Sequence, residues 1–327
     1  MPGHQGQMSF FKKIRYAGEY AVLQTMLGFF SLMSPDEASQ FAAKAGRLIG
    51  PRLGAHRRAL ANLKKIMPYK PAEEYQKILQ GMWSNLASVM AEYPNLEFFA
   101  PDVELIGIEH LKRAFEEHGQ VSVFSGHLAN WEMLAPCLMR YGVPIDLVYR
   151  APNNPHADRL LDRYRTLHGK LRTLPKSKAG TRKLVQALKD GRSVGILIDQ
   201  KYNEGIKVPF MGQPAMTSPA FAQLAQKFNC GLVPFRVERL GGDLRFRLSF
   251  YEPLKIFDEN GVPLPPAVII EKAHELLESW IREKPEEWIW MHRRWVAEGK
   301  RAPGKTKASQ KAKTAPSRSA DPPRPAA

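Results

Sequence analysis

A chain of 327 residues, 44% of them hydrophobic, can bury a sizeable core without needing two independent domains. Forty-eight lysines and arginines against 32 acidic residues give a net charge of +16, which favours an anionic partner such as nucleic acid, anionic lipid or an acidic carrier protein and does not choose among them. The two cysteines, Cys137 and Cys230, lie far apart in apolar surroundings, which argues against a disulfide framework or a zinc cluster and fits a reducing compartment.

At the N-terminus Lys12, Lys13 and Arg15 precede an apolar stretch from Tyr20 to Met33, interrupted by Gln24 and Thr25 and closed by Pro35. The stretch is short for a membrane span, and Ser31-Leu32-Met33-Ser34 is a poor secretory cleavage site. The pattern predicts a membrane-associating segment over residues 1–35, with its positive flank in the cytoplasm; a buried core helix is the competing reading. From 36 to 100 the chain reads helical, with breaks near Pro51 and at Pro68, and Ile78, Met82, Leu86 and Val89 recur at three- and four-residue spacing.

After Pro101, short β-branched runs alternate with helical stretches: Val103–Ile106, Val121–Phe124, Ile145–Tyr149, Val194–Ile198, Leu232–Val237 and Leu244–Phe250. This predicts an α/β fold, a mostly parallel central sheet flanked by helices, over residues 101–298. The tail, 299–327, is rich in Pro, Ser, Ala and Lys, and its part from Lys300 onward carries +7 of the net charge. It has too few large apolar residues to offset its ordering entropy and is expected to be disordered.

The strongest local signal is Val121-Ser-Val-Phe-Ser-Gly-His127-Leu-Ala-Asn-Trp-Glu132, an apolar strand running into a glycine turn, a histidine and a helical stretch through Met139. His127 then stands at the carboxyl end of a strand, where open α/β sheets place ligands. On a continuous helix the five-residue spacing would put His127 and Glu132 about 140° apart, so the two meet only if His127 lies in the turn, a geometry that Gly126 permits. In such a pair Glu132 orients the imidazole and stabilises its protonated form, leaving the other ring nitrogen to take a proton from a hydroxyl. The plain alternative is a histidine bonded within a turn beside a solvated first-turn carboxylate. No third ligand of suitable type is nearby for zinc.

The segment Gly126-His127-Leu128-Ala129-Asn130-Trp131-Glu132 resembles the histidine-four-residues-glutamate block of the lipid A biosynthesis lauroyl/myristoyl acyltransferases, within the lysophospholipid acyltransferase group. Further blocks follow in the family's order: His56-Arg-Arg-Ala-Leu-Ala-Asn-Leu; Tyr149-Arg150 with Asn153-Asn154-Pro155; Asp199-Gln200, Val208-Pro209-Phe210-Met-Gly212 and Thr217; and Pro285-Glu-Glu-Trp-Ile-Trp-Met-His292-Arg293-Arg294-Trp295. The resemblance spans roughly Arg57 to Trp295. It implies an enzyme on the cytoplasmic face of a bacterial inner membrane, with an acyl carrier protein thioester as donor and an anionic glycolipid, a Kdo-bearing lipid A precursor, as acceptor. Actinobacterial enzymes that acylate phosphatidylinositol mannosides share the catalytic block, so another glycolipid or a lysophospholipid, such as a phosphatidylinositol mannoside, is the alternative acceptor.

On this reading His127, oriented by Glu132, deprotonates the acceptor hydroxyl, and neither a metal nor another cofactor is needed. Arg150 or turn amides stabilise the oxyanion, and Arg150 alternatively clamps a lipid phosphate. Asp199 ends a strand facing the same crevice and holds Arg150 or a substrate hydroxyl. Asn153, Asn154, Gln200, Thr217, Arg293 and Arg294 are implied to bind substrate by their places in the blocks. Pro209 to Gly212 form an acyl-groove wall or a core turn. Trp288, Trp290 and Trp295, with His292, Arg293 and Arg294, suit a lipid headgroup interface or a core-packing helix with an arginine edge. A basic nucleic-acid-binding protein is the non-enzyme alternative, against which no nucleic-acid motif is present.

Overall fold

The computed structural model describes residues 9–241 and 245–295. The basic tail, 299–327, the first eight residues and Leu244 of the last predicted strand lie outside them.

Among the described residues five α-helices precede the sheet: α1 (Phe10–Ser31), α2 (Pro35–Ile49), α3 (Gly54–Ile66), α4 (Ala72–Glu92) and the single turn α5 (Leu96–Phe99). α2 begins on a capping box, in which the Ser34 hydroxyl accepts from the Glu37 N–H and the Glu37 carboxylate accepts from the Ser34 N–H, with Pro35 at the first helical position. α1 is apolar on more than one side. Tyr16, Leu27 and Phe30 turn into the protein, whereas Phe11, Ile14, Val22 and Phe29 stay exposed. The described helices include none long and apolar enough to cross a membrane.

The chain then alternates strand and helix: β1 (Glu104–Ile106), α6 (Ile108–His118), β2 (Val121–Ser125), α7 (Leu134–Arg140), β3 (Ile145–Tyr149), α8 (Pro155–Arg165), β4 (Arg172–Pro175), α9 (Lys178–Lys189) and β5 (Ser193–Leu197). A hairpin of β6 (Ile206–Phe210) and β7 (Gln213–Thr217) follows, then α10 (Ala220–Lys227), β8 (Gly231–Leu240), β9 (Arg245–Phe250) and α11 (Pro266–Glu283). Among the described residues seven strands form one sheet in the order β1-β9-β8-β2-β5-β3-β4, parallel at every pairing except β8 with β9. β2 is buried along its whole length because helices cover both faces, which is why it reads as an apolar run. Phe124 and Ile196 face the core shared with α10 and α11, and Val123 and Val233 face the core shared with α6 and α7.

Two parts of this topology differ from the sequence expectation. β4 is a four-residue edge strand ending at Pro175, too short and proline-marked to read as a strand. The Pro209–Gly212 run is the tip of the β6–β7 hairpin, where Met211 (φ 53°) and Gly212 (φ 71°) form a two-residue turn with both residues left-handed. Phe210 and Met211 pack into the core, so the core-turn reading is the one observed.

Candidate active site

β2 and β5 are parallel neighbours, so the residues that follow them emerge side by side at the carboxyl edge of the sheet. His127 follows β2 and Asp199 follows β5. Asp199 is fully buried. The His127 Nδ1–H donates to Asp199 Oδ1 at 2.7 Å, while Asp199 Oδ2 accepts from the His127 backbone N–H at 2.9 Å and from the Trp288 indole at 2.8 Å. Burial alone would raise this carboxyl, but the imidazole beside it, its hydrogen bonds and His292 outweigh that, holding Asp199 well below the usual range and ionised. Gly126 makes room for the contact, since a Cβ there would lie 3.3 Å from Asp199 Oδ2. The left-handed residue of the turn is Ala129 (φ 46°), not Gly126.

With Nδ1 donating to Asp199, the Nε2 lone pair is free to accept, and Gln200 Nε2 stands 3.2 Å from it. The partners thus assign the neutral tautomer a general base requires. His292 packs edge-on at 5.3 Å and is pushed down to about 4 by burial and by the neighbouring His127, so it adds no competing charge at neutral pH.

Glu132 does not orient the histidine. Its side chain is buried in a separate cluster, accepting from Arg165 Nε at 3.2 Å on each carboxylate oxygen, from the Tyr93 hydroxyl and from the Trp131 indole at 3.2 Å. Its carboxyl is lowered despite burial because of Arg165. Asn130 caps the Glu132 N–H, and residues 131–133 form a 3₁₀ turn before α7, so the predicted helix starts late. The Trp131 ring lies 4.9 Å from that of His127 while its N–H reaches Glu132, so the indole sits between histidine and glutamate.

His127, Glu132, Arg150 and Gln200 line a single cavity of about 160 Å³. Tyr93, Trp131, Tyr149, Arg165 and Lys176 also line it, as do the apolar Leu134, Leu147, Ile196, Leu197 and Phe235. Arg165 also packs on the Tyr149 ring at 4.8 Å, and its Nη1 has no hydrogen-bond partner in the protein.

The remaining sequence candidates fall elsewhere. Asn154 is buried, capping α8 through its Oδ1 and donating from its Nδ2 to the Tyr16 carbonyl at 2.8 Å and to Glu19; it ties α1 to α8 and does not line the cavity. Asn153 is exposed outside the cavity. Thr217 and Arg294 are buried with each other and His274: Arg294 Nη2 donates to Thr217 Oγ1 at 2.7 Å and lies 3.1 Å from His274 Nε2. They brace the core. Arg293 is exposed and is not a cavity residue. Trp288, Trp290 and Trp295 are buried, with Trp288 and Trp295 packed around Phe210, so they form core and no headgroup interface.

Sequence reasoning missed Tyr93, just after α4, Arg165, the last residue of α8, and Lys176, just after β4. Arg165 sits in Asp158-Arg-Leu-Leu-Asp-Arg-Tyr-Arg165, a run with the charge pattern of a solvated helix face.

Residues 5–297 match the family model described as bacterial lipid A biosynthesis acyltransferase. The chain belongs to that family. It is similar to the lipid A biosynthesis palmitoleoyltransferase of Escherichia coli (strain K12), 26% identical over 268 residues covering 76% of this chain and 83% of the relative. The myristoyltransferase of the same organism is 23% identical over 292 residues, covering 86% and 87%, and its lauroyltransferase 26% identical over 246 residues, covering 72% and 76%. Membership of the lipid A acyltransferase family makes the chain an acyltransferase of lipid A biosynthesis and sets aside the nucleic-acid-binding alternative. His127, with Asp199 bonded to its Nδ1, lines the cavity together with Gln200 and Arg150.

Proposed function

We propose that this acyltransferase moves a fatty acyl chain from an acyl carrier protein thioester to a hydroxyl of a lipid A precursor, a late acylation, at the cytoplasmic face of the inner membrane. The observation that carries the reading is the His127 imidazole, held at Nδ1 by a buried, ionised Asp199 while Nε2 faces the cavity. The acceptor hydroxyl gives its proton to Nε2 as its oxygen bonds to the thioester carbonyl carbon. Collapse of the tetrahedral intermediate breaks the C–S bond, and the imidazolium returns the proton to the departing thiolate. Arg150, exposed and lining the cavity, and the unpartnered Arg165 Nη1 are the cationic donors for the oxyanion or a lipid phosphate. Glu132 acts through Arg165, fixing that guanidinium against the cavity wall.

Membrane docking rests on the outer stripe of α1. Phe11, Ile14, Val22 and Phe29 recur at multiples of a helical turn, Phe29 meets Phe41 of α2 at 5.8 Å, and Leu48, Ile49 and Leu53 extend the exposed apolar surface. Lys12, Lys13, Arg15, Arg47 and Arg52 supply cations for anionic headgroups. The basic balance of the chain also suits an acidic carrier protein.

Purified enzyme incubated with acyl carrier thioesters and a Kdo-bearing lipid A precursor should add one acyl chain to the precursor by mass spectrometry. The lipid A of cells lacking the gene should be lighter by the same chain. Absence of both shifts refutes the assignment, and acylation of a different glycolipid in its place moves the acceptor.

A further inference from the structure

Two polar residues of α4, Asn85 and Glu92, are buried, and their seven-residue spacing puts them on one face of the helix. A buried carboxylate or amide is costly unless its hydrogen-bonding groups are met, and both are met here. Glu92 Oε1 accepts from the Ser39 hydroxyl at 2.6 Å and from Arg239 Nη1 at 2.7 Å, while Oε2 accepts from Asn130 Nδ2 at 2.7 Å and from Arg239 Nη2 at 2.9 Å. Asn85 Oδ1 accepts from Arg239 Nε at 2.7 Å, which turns its Nδ2 toward the carbonyls of Ala129 at 3.1 Å and Glu287 at 3.3 Å.

Both side chains thereby reach the turn that follows His127. Ala129 holds a left-handed φ of 46°, which the Cβ of an alanine disfavours. Its N–H donates to the Glu287 carbonyl at 3.1 Å and its own carbonyl accepts from Asn85, so the residue is tied on both sides. Asn130, fully buried, gives its Nδ2 to Glu92 and accepts the Glu132 N–H on Oδ1. His127 meets Asp199 through two groups, its backbone N–H and its ring Nδ1, so the path of the chain through 127–130 sets both contacts together. Neither Asn85 nor Glu92 lines the cavity.

We propose that Asn85 and Glu92 are positioning residues for the acyl transfer: joined through Arg239, they hold the Ala129–Asn130 turn in its left-handed path and so fix His127 against Asp199. The kinetic part of this inference rests on the transfer reading above. Loosening the turn moves the base relative to the hydroxyl it must deprotonate, and near-attack geometry is sensitive to such shifts. The rate then falls without loss of substrate affinity, because the two residues touch no substrate. A role in folding alone would lower stability and leave the turnover of the folded enzyme intact.

The test compares three variants with the unaltered enzyme. Asn85→Asp sets a carboxylate oxygen against the Ala129 carbonyl, and Asn130→Asp sets a second carboxylate against Glu92. Asn130→Asp combined with Glu92→Gln restores that hydrogen bond in the opposite direction and keeps one negative charge beside Arg239. Each single variant should lower kcat about tenfold or more, with KM for donor and acceptor unchanged, and should shift the His127 Nδ1–H proton resonance upfield as its bond to Asp199 lengthens. The double variant should regain most of the kcat and the original resonance. Folded single variants, checked by melting temperature, that keep kcat within about threefold overturn the proposal, as does a lowered kcat with the resonance unmoved, or a double variant no better than Asn130→Asp. Asn85→Asp, which keeps an acceptor for Arg239 Nε, decides by the same readouts if Asn130→Asp does not fold. If the unaltered enzyme transfers no acyl group, the transfer reading fails, and the resonance in the variants still shows whether α4 holds the histidine: movement supports it, and an unmoved signal refutes it.

Discussion

Replacing Asp199 with asparagine keeps the shape of the site and changes which hydrogens it can accept. On the Oδ2 side two donors converge, the His127 backbone N–H at 2.9 Å and the Trp288 indole at 2.8 Å. An amide NH₂ placed there would oppose both, so the asparagine turns its oxygen toward them and its NH₂ toward His127 Nδ1. That arrangement is satisfied only when Nδ1 is the acceptor, which moves the ring proton to Nε2 and removes the lone pair that must take the hydroxyl proton. The expected loss is that of a general base, about 10²–10⁴-fold in kcat, or ~3–5 kcal/mol in the barrier. Because the ring itself is disabled, the loss persists at saturating acceptor, whereas a substrate-positioning role would let it recover there. Steady-state kinetics over a range of acceptor concentrations, with ¹⁵N NMR of the imidazole to read the tautomer, tests both halves. A kcat within threefold of the unaltered enzyme, or an Nδ1–H tautomer in Asp199→Asn, would refute the reasoning.

Glu132→Ala should act first on stability, because it leaves the Arg165 guanidinium buried without its carboxylate, at a cost of about 3–5 kcal/mol in urea unfolding; Glu132→Ala combined with Arg165→Met should recover much of it, and no recovery would deny the pairing its structural role. Glu287 is buried and its carboxyl pushed up to about 7 from 4.5 by that burial, so the folded state holds the proton more tightly and stability falls as pH rises from 4.5 to 7. Glu287→Gln should therefore add up to ~3 kcal/mol at pH 8 and little at pH 4, with equal effects at both pH values counting against it. Phe11→Glu with Val22→Glu, both on the exposed side of α1, should weaken binding to anionic vesicles more than tenfold with an unchanged melting temperature, since each loses about 1.5–3 kcal/mol of apolar burial. Full retention of vesicle binding would move the docking surface off this helix. Trp288→Phe should lower kcat by roughly tenfold at near-normal acceptor KM, as Asp199 loses one of its two donors on Oδ2.

The central parallel strands β2 and β5 were legible in the sequence because burial on both faces writes an apolar run that needs no partner to be recognised. β4 and the β6–β7 hairpin were not: β4 is a four-residue edge strand ending in proline, and β6, although its burial alternates, and β7 each carry a proline and are joined by a turn built on a left-handed methionine. At the site, His127 and Asp199 could each be placed at a strand end, but that they touch follows from β2 and β5 being neighbours, which strand content does not determine. Glu132 was assigned to His127 because it is near in sequence; the carboxylate bonded to the ring comes from 72 residues away. Arg294 and Thr217 show the converse, polar residues in a family-like block that turn inward to satisfy one another.

The indole that steadies Asp199 belongs to almost the last described stretch of the chain. Trp288 follows His127 by about 160 positions, which a ribosome adding ~5–20 residues per second takes roughly 8–32 s to make. Throughout that interval the nascent polypeptide already carries its histidine, and from residue 199 onward the aspartate too, yet the carboxylate lacks the donor that fixes its second oxygen. The hydrogen-bond set around the pair is therefore completed late in synthesis, and a product truncated before residue 288 keeps both its members without the indole that holds Asp199 Oδ2.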